Sequence, residues 1–421
     1  MNNLNNKNIS EDSLAILLLC SNLAINYTVD KVKPFTTVEW SKLAKVILSS
    51  PIKKPSNLFN KSKEEIEKEL LIDHSKAERI YNLLLKAGQI GFEINNLKNL
   101  GINILTRADI VYPKILKEKL KDKCPPVIYY SGDINILNDK LIGVVGSRNI
   151  DEYGLEFTKK ISEKIVRDNY SLVSGGAKGV DGVAQEEVLK NGGKVVAFIA
   201  DSLINKIKKK DVREAIIKNK LLILSSINPK SGFTVYSAMD RNKYIYALSE
   251  MTVAVSSDYN KGGTWAGATE NLKNDWVPLL VRNDSTVPKG NLELIKLGGN
   301  KIELSDLNKD FKNLIKERMK TDKAYYEGDL LSFVDNSESK ICEENLNNKI
   351  IEEENKDEGV NYDIYFLIKN TIKTILKEEM TSEKFCEILN INKTQGNTWL
   401  KRAVEEGIVE KLNKPTRYKS V

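Results

Sequence analysis

Two stretches carry the residue types best suited to chemistry. Leu141-Ile-Gly-Val-Val-Gly146-Ser147-Arg148 is an apolar run that ends abruptly in Gly, Ser and a cation. One helical segment later, Ser171-Leu-Val-Ser174-Gly175-Gly176-Ala-Lys178-Gly179 repeats the pattern. Strands that end this way at one edge of an α/β sheet present bare backbone N–H groups and helix N-termini beside Arg or Lys, which makes a cradle for phosphate. Arg241-Asn242-Lys243 is expected at the start of a later helix, and Lys261-Gly262-Gly263-Thr264 follows a later strand. Solvent-facing Arg148 and Arg241 would hold a phosphodiester, with almost no acid or base chemistry beside them to cut it. For either glycine cluster alone, the alternative is a plain strand-to-helix turn.

Other chemistries are hard to build from this chain. Its single histidine, His74, lies far in sequence from the glycine-rich strand ends, which disfavours a Ser-His-Asp triad or an HExxH zinc site. The four cysteines (Cys20, Cys124, Cys342, Cys386) are scattered without a CxxC pair and read as reduced thiols. The GxGxxG dinucleotide fingerprint and the GxxxxGK[ST] phosphate loop are both absent. Asp181, the one acid among the cradles, is expected to cap the following helix or orient a backbone turn. A rival reading binds or processes a nucleotide in the same cradle, with Glu270 as the acid to watch. No catalytic residue, metal or cofactor is expected.

The elements that must position these residues follow from periodicity. At 421 residues the chain exceeds one ordinary core, and its net charge of +7 leans mildly toward an anionic partner. Residues 1–104 read as a helical module. Residues 105–316 alternate strands (Ile142–Val145, Leu172–Ser174, Val195–Ile199, Leu221–Leu224, Val253–Ser256, Val277–Val281) with amphipathic helices, which implies a doubly wound parallel sheet covered on both faces. The run Lys206, Lys208, Lys209 and Lys210 is expected to be a solvated helix face. Residues 317–360 turn acidic and aperiodic, as a linker does. Residues 361–421 lay out helix, turn, helix, Gly407 and a strand pair, as a winged helix does. There, Lys401, Arg402, Lys411, Lys414, Arg417 and Lys419 suit phosphate contacts. No leader or membrane-spanning run is legible, and the expected location is cytoplasmic.

The combination of motifs resembles the DNA-processing protein A (DprA/Smf) family. It comprises Gly146-Ser147-Arg148…Tyr153-Gly154, Ser174-Gly175-Gly176-Ala177-Lys178-Gly179-Val180-Asp181, Phe233 to Arg241-Asn242-Lys243, and Gly262-Gly263-Thr264. Tyr112-Pro113…Leu116 and Cys124-Pro125-Pro126…Tyr129 form the lead-in. The resemblance implies an α/β fold: a Rossmann-like doubly wound parallel sheet core with an N-terminal helical (SAM/HhH-like) module and a C-terminal winged helix. It also implies a cytoplasmic, non-enzymatic protein that binds single-stranded DNA, dimerises through its core and loads the recombinase RecA during natural transformation. Carried across, Arg148, Lys178, Arg241 and Lys243 contact phosphates, and Gly146, Ser147, Ser174, Gly175, Gly176 and Asn242 line the pocket. Gly262, Gly263 and Thr264 complete the site. Gln185 stands where the family usually has His, Lys243 where it usually has a second Arg, and Val255-Ser256-Ser257 where an acid is usual. These departures mark a divergent member.

Overall fold

The computed structural model describes residues 9–28, 30–311, 313–314, 364–389, 391, 393–412 and 416–420. The expected linker, Cys342 and Lys414 therefore lie outside the described residues. The N-terminal module is built from α1 (Glu11–Cys20), α2 (Thr37–Ser49), α3 (Lys63–Leu70), α4 (His74–Leu84) and α5 (Ala87–Asn99). Each of the first four starts at a side chain that supplies the missing acceptor for a free amide: Ser10, Thr36, Ser62 and Asp73. Helix α1 is apolar on nearly every side and is buried from Ser13 to Leu19, so it forms the centre of this module.

The core strands are β1 (Asn103–Thr106), β2 (Val127–Ser131), β3 (Leu141–Val145), β4 (Ser171–Ser174), β5 (Val195–Phe198), β6 (Leu221–Ser225), β7 (Met251–Ala254), β8 (Leu279–Arg282) and β9 (Asn300–Ile302). They form one sheet in the order β1-β2-β6-β5-β4-β3-β7-β8-β9. From β6 to β9 all neighbours are parallel. Between them run α7 (Glu152–Arg167), α8 (Val180–Lys190), α9 (Leu203–Ile207), α10 (Lys210–Ile217), α11 (Val235–Leu248), α12 (Gly262–Asn274) and α13 (Lys289–Lys296), while α6 (Lys114–Leu120) joins β1 to β2. Successive strand residues alternate between two apolar cores. Ile142, Leu172, Val195 and Ile223 belong to one; Leu141, Val173, Val196 and Leu222 belong to the other. That alternation buries both faces of the sheet, which is why the strands read as unbroken apolar runs.

The sheet differs from the expected one at its edge. β2 pairs antiparallel with β6 and β1 antiparallel with β2, so the lead-in segment extends the sheet. The chain steps from β3 to β4 on one side, while β7 lies on the other side of β3. The carboxyl ends of β3 and β7 therefore form the crevice in which a doubly wound sheet binds ligands.

The C-terminal unit comprises α14 (Ile364–Ile375), α15 (Ser382–Leu389) and α16 (Lys393–Glu405), followed by the antiparallel pair β10 (Val409–Leu412) and β11 (Arg417–Ser420). Phe385, Leu389, Trp399, Leu400 and Ala403 form its interior, whereas Ile388 is 52% exposed. The unit packs on α5: a Cβ on Gly88 would stand 3.4 Å from the Trp399 ring. Several of its cations are already paired, Arg402 with Glu406 at 3.0 Å and Arg417 with Glu379 at 3.6 Å.

Candidate anion-binding site

Three loops meet at the carboxyl edge beside the crevice. The turn after β3 is fixed by Ser147, whose N–H donates to the Ser256 carbonyl at the end of β7 (2.9 Å) and whose carbonyl accepts from Val180 N–H at the start of α8 (3.2 Å). Gly179 makes this approach possible. Its φ is +82°, and a Cβ there would stand 2.3 Å from the Ser147 carbonyl oxygen. Gly146 and Ser147 are half-buried and Arg148 is exposed, with its guanidinium carbon 5.0 Å from the centre of the Phe233 ring. Lys178 is exposed on the loop after β4, and Gly176 is half-buried beside it.

Arg241 and Lys243 correct the sequence reading. The triplet lies in the interior of α11, not at its start, because α11 begins at Val235 with a Thr234 capping box. Arg241 is only 7% exposed and Lys243 8%, so neither faces solvent as expected. Arg241 nevertheless reaches the cradle. A Cβ on Gly175 would overlap its Nη1 at 1.7 Å, so only the absence of a side chain at 175 lets the guanidinium lie against the β4 loop. Its Nε and Nη1 are buried without a hydrogen-bond partner. Buried unsatisfied donors cost about 1–3 kcal/mol each, and more on a charged group, so this guanidinium is held ready for an acceptor.

Asp181 stands opposite. Its Oδ2 accepts the Gly175 N–H at 3.0 Å, so it orients the β4–α8 turn and does not cap α8, whose N-cap is Gly179. Burial raises its carboxyl above the usual 3.8, an effect opposed by the nearby Arg241 charge, by the backbone amides of Ala177 and Gly175, and by Arg148. Burial in turn lowers Arg241, and Asp181 opposes that shift. Arg148, Arg241 and Asp181 are thus one electrostatic cluster.

Lys243 belongs elsewhere. It pairs with Asp240, lies over the Tyr244 ring at 5.1 Å and acts on the buried Cys124 thiol. Ser174 is fully buried; its Oγ accepts from Gln185 Nε2 at 2.6 Å, so it supports the loop without lining an open surface. Asn242 donates from Nδ2 to the Gly263 carbonyl at 2.9 Å and tethers the start of α12 to α11. There Gly262 and Gly263 are exposed and Thr264 half-buried, with no side chain capping the helix.

Lys206 is a third cation that departs from the sequence reading. Lys206, assigned to a solvated face, is half-buried with Nζ 3.4 Å from the Gly176 carbonyl. Its charge is disfavoured first by burial and then by Lys209. The signal was the N-cap Ser202, which starts the short helix α9 and separates Lys206 from the lysines that follow. Glu270, the acid of the rival reading, is paired with Lys123 at 2.9 Å. His74 pairs with Glu67 on the helical module. Among the described residues no cluster of His, Cys, Asp and Glu could hold a metal, and no helix is long and apolar enough to cross a membrane.

Comparison with known proteins agrees with this fold. The family described as DNA recombination-mediator protein A matches residues 103–312, which hold every strand of the sheet and all three loops. The chain belongs to the DprA/Smf family. DNA processing protein DprA of Streptococcus pneumoniae is 30% identical over 155 residues, 37% of this chain and 54% of that protein. The Bacillus subtilis protein of the same name is 29% identical over 165 residues, 38% of this chain and 54% of its own. The chain spans about half the length of these two curated relatives. The X-ray structure of S. pneumoniae DprA superposes with a TM-score of 0.50 at 19% identity, covering 66% of this chain and 98% of that one; it shows the same fold.

Proposed function

We propose that this protein binds single-stranded DNA through the cluster at the crevice and acts, without catalysing a reaction, as a mediator of recombination. The observation that carries the reading is Arg241. A buried guanidinium with two unpartnered nitrogens, lodged against a glycine at the switch point of the sheet, fits an incoming phosphate oxygen. Arg148, Lys178 and Lys206 extend the positive track on either side, and the Phe233 ring under Arg148 offers a stacking face. Family membership supports DNA as the source of the phosphates. The finer parts of the proposal are a homodimer through the core, delivery of the strand to RecA in the cytoplasm, and a role in uptake of incoming DNA. The C-terminal unit, read as a winged helix, is secondary in binding because both of its candidate arginines, Arg402 and Arg417, are ion-paired.

A titration with single-stranded DNA, duplex DNA of equal length and mononucleotides tests the proposal. Single strands are expected to bind most tightly, since a flexible backbone can enter a cradle between loops that a stiff duplex cannot. Micromolar binding of mononucleotides without oligonucleotide binding would replace this reading with a nucleotide-binding one.

A further inference from the structure

A second cleft lies where the helical module meets the core. It encloses about 410 Å³, within the range of small-ligand sites. Its walls are aromatic: Phe35 and Tyr129 are buried in them, while Tyr27 and Tyr236 are 59% and 83% exposed. The Tyr129 hydroxyl is fixed against Ser21 Oγ at 2.7 Å. Asn228 Nδ2, from the core, donates to Asn22 Oδ1, from the module, at 3.1 Å, so the two sides of the cleft are tied together. The remaining polar lining is hydroxyl, amide and the Cys20 thiol; among the described residues no Asp, Glu, Lys or Arg lines the cleft. The neighbouring cleft on the module differs, being lined by Lys31, Lys33, Glu39, Glu78 and Arg79.

An uncharged cleft with aromatic walls and neutral hydrogen-bonding groups does not suit a phosphate or a carboxylate. It suits a flat, neutral ring with donors and acceptors on its edge. Its position adds the second half of the inference. Gly232 and Thr234 line the cleft, and Phe233 between them lies under Arg148 of the phosphate track. The ring beneath Arg148 is thus one residue along the chain from the cleft lining on either side.

We propose that this cleft is a nucleobase pocket, which receives one base of the bound strand turned away from the phosphate track. The inference rests on the single-strand reading above. It makes binding depend on bases as well as on backbone charge, because ring stacking tolerates any sequence yet requires a ring to be present.

The test compares a short oligothymidylate with an abasic oligomer of equal length, for the full chain and its variants, across a salt series. The unaltered protein is expected to prefer the base-bearing oligomer. Tyr236→Ala and Tyr27→Ala should each reduce that preference, on the order of tenfold from the loss of one stacked base. Their slopes of log affinity against log salt should not change, since no phosphate contact is lost. Arg148→Ala should do the reverse, lowering the slope and keeping a preference for bases. Tyr236 is largely exposed, so its variant should melt as the unaltered protein does; Tyr27→Ala is an independent probe from the other side of the cleft. An unchanged preference in both folded tyrosine variants would overturn the pocket alone. Absence of any single-strand binding by the unaltered protein would overturn the reading beneath it as well.

Discussion

Gly175→Ala puts a methyl group where the Arg241 guanidinium now lies. The added Cβ would stand 1.7 Å from Nη1, whereas ordinary contacts begin at 3.4 Å, so the guanidinium must retreat by about 1.7 Å. The backbone at Gly175 is not left-handed, so alanine adds no conformational strain, and the three atoms nearest its Cβ all belong to the Arg241 guanidinium. A retreat of that size breaks a hydrogen bond to phosphate, and charge-assisted bonds contribute about 1.5–3 kcal/mol. Affinity for single-stranded DNA should therefore fall on the order of 10- to 100-fold, and the salt slope should decrease in magnitude by roughly 0.7. Crowding a packed interior costs about 1–3 kcal/mol, so the melting temperature should drop while the protein stays folded.

Arg241→Ala should weaken binding by a similar factor, and the double variant should lose little more than either single one, because both act on the same guanidinium. Fluorescence anisotropy over a salt series, with thermal melts as the folding control, reads all three variants. A folded Gly175→Ala protein with unchanged affinity and slope would refute the placement of phosphate at Arg241. Losses that simply add would refute the claim that the glycine exists to admit this side chain.

The other predictions concern separate parts of the site. Arg148→Ala should lower the salt slope by roughly 0.7 with little change in melting temperature, because Arg148 is exposed and its guanidinium lies over the Phe233 ring; an unchanged slope would remove Arg148 from the track. Asp181 is raised above 3.8 by burial, so its contribution to stability is present below the unfolded value and lost as pH rises through the folded one. As pH falls through the folded value the carboxylate is neutralised, Arg241 loses its counter-charge, and DNA affinity should rise; Asp181→Asn should abolish that pH dependence, and a titration in which both proteins respond alike would contradict it. Deleting residues 357–421 should leave a folded core that still binds single strands with the same salt slope, measured by the same anisotropy assay; loss of all binding in a folded truncated protein would shift the primary site to the C-terminal unit.

The sequence made the parallel core legible for a physical reason. Strands β3 to β8 are buried on both faces, so their apolar runs are continuous and end sharply where Gly and Ser turn the chain. The antiparallel β1–β2 extension was hidden because Tyr129 and Tyr130 follow a Pro pair and lack a hairpin turn to announce them. The start of α11 was hidden because Val235, Tyr236 and Met239 are 71%, 83% and 40% exposed, which leaves no apolar stripe to mark the helix. Its capping box also ends in Ser237, where Glu or Gln is the usual sign. Misplacing that start moved Arg241 from a buried interior position to an imagined exposed end. Arg241 was therefore read with the wrong exposure, and Lys243, read as Arg241's equal, proved to face Asp240.

The exposure matters to how the site works. A lone buried cation is costly, and Asp181 supplies a compensating charge that is itself shifted by desolvation. The compensation is incomplete: the carboxylate accepts the Gly175 N–H, while Arg241 Nε and Nη1 stay without acceptors. A fully satisfied Arg–Asp pair would have no reason to release its carboxylate for a ligand. A cation with no acid nearby would be hard to bury at all. The half-satisfied cluster lies between these limits, so a phosphate placed as proposed would complete its hydrogen bonding without displacing Asp181 from the turn it holds. On the proposed reading the loop would not need to rearrange for a strand, since Gly179, Ser147 and Asp181 already fix it. Binding would then spend little on ordering the protein, and the remaining ordering would fall on the flexible single strand.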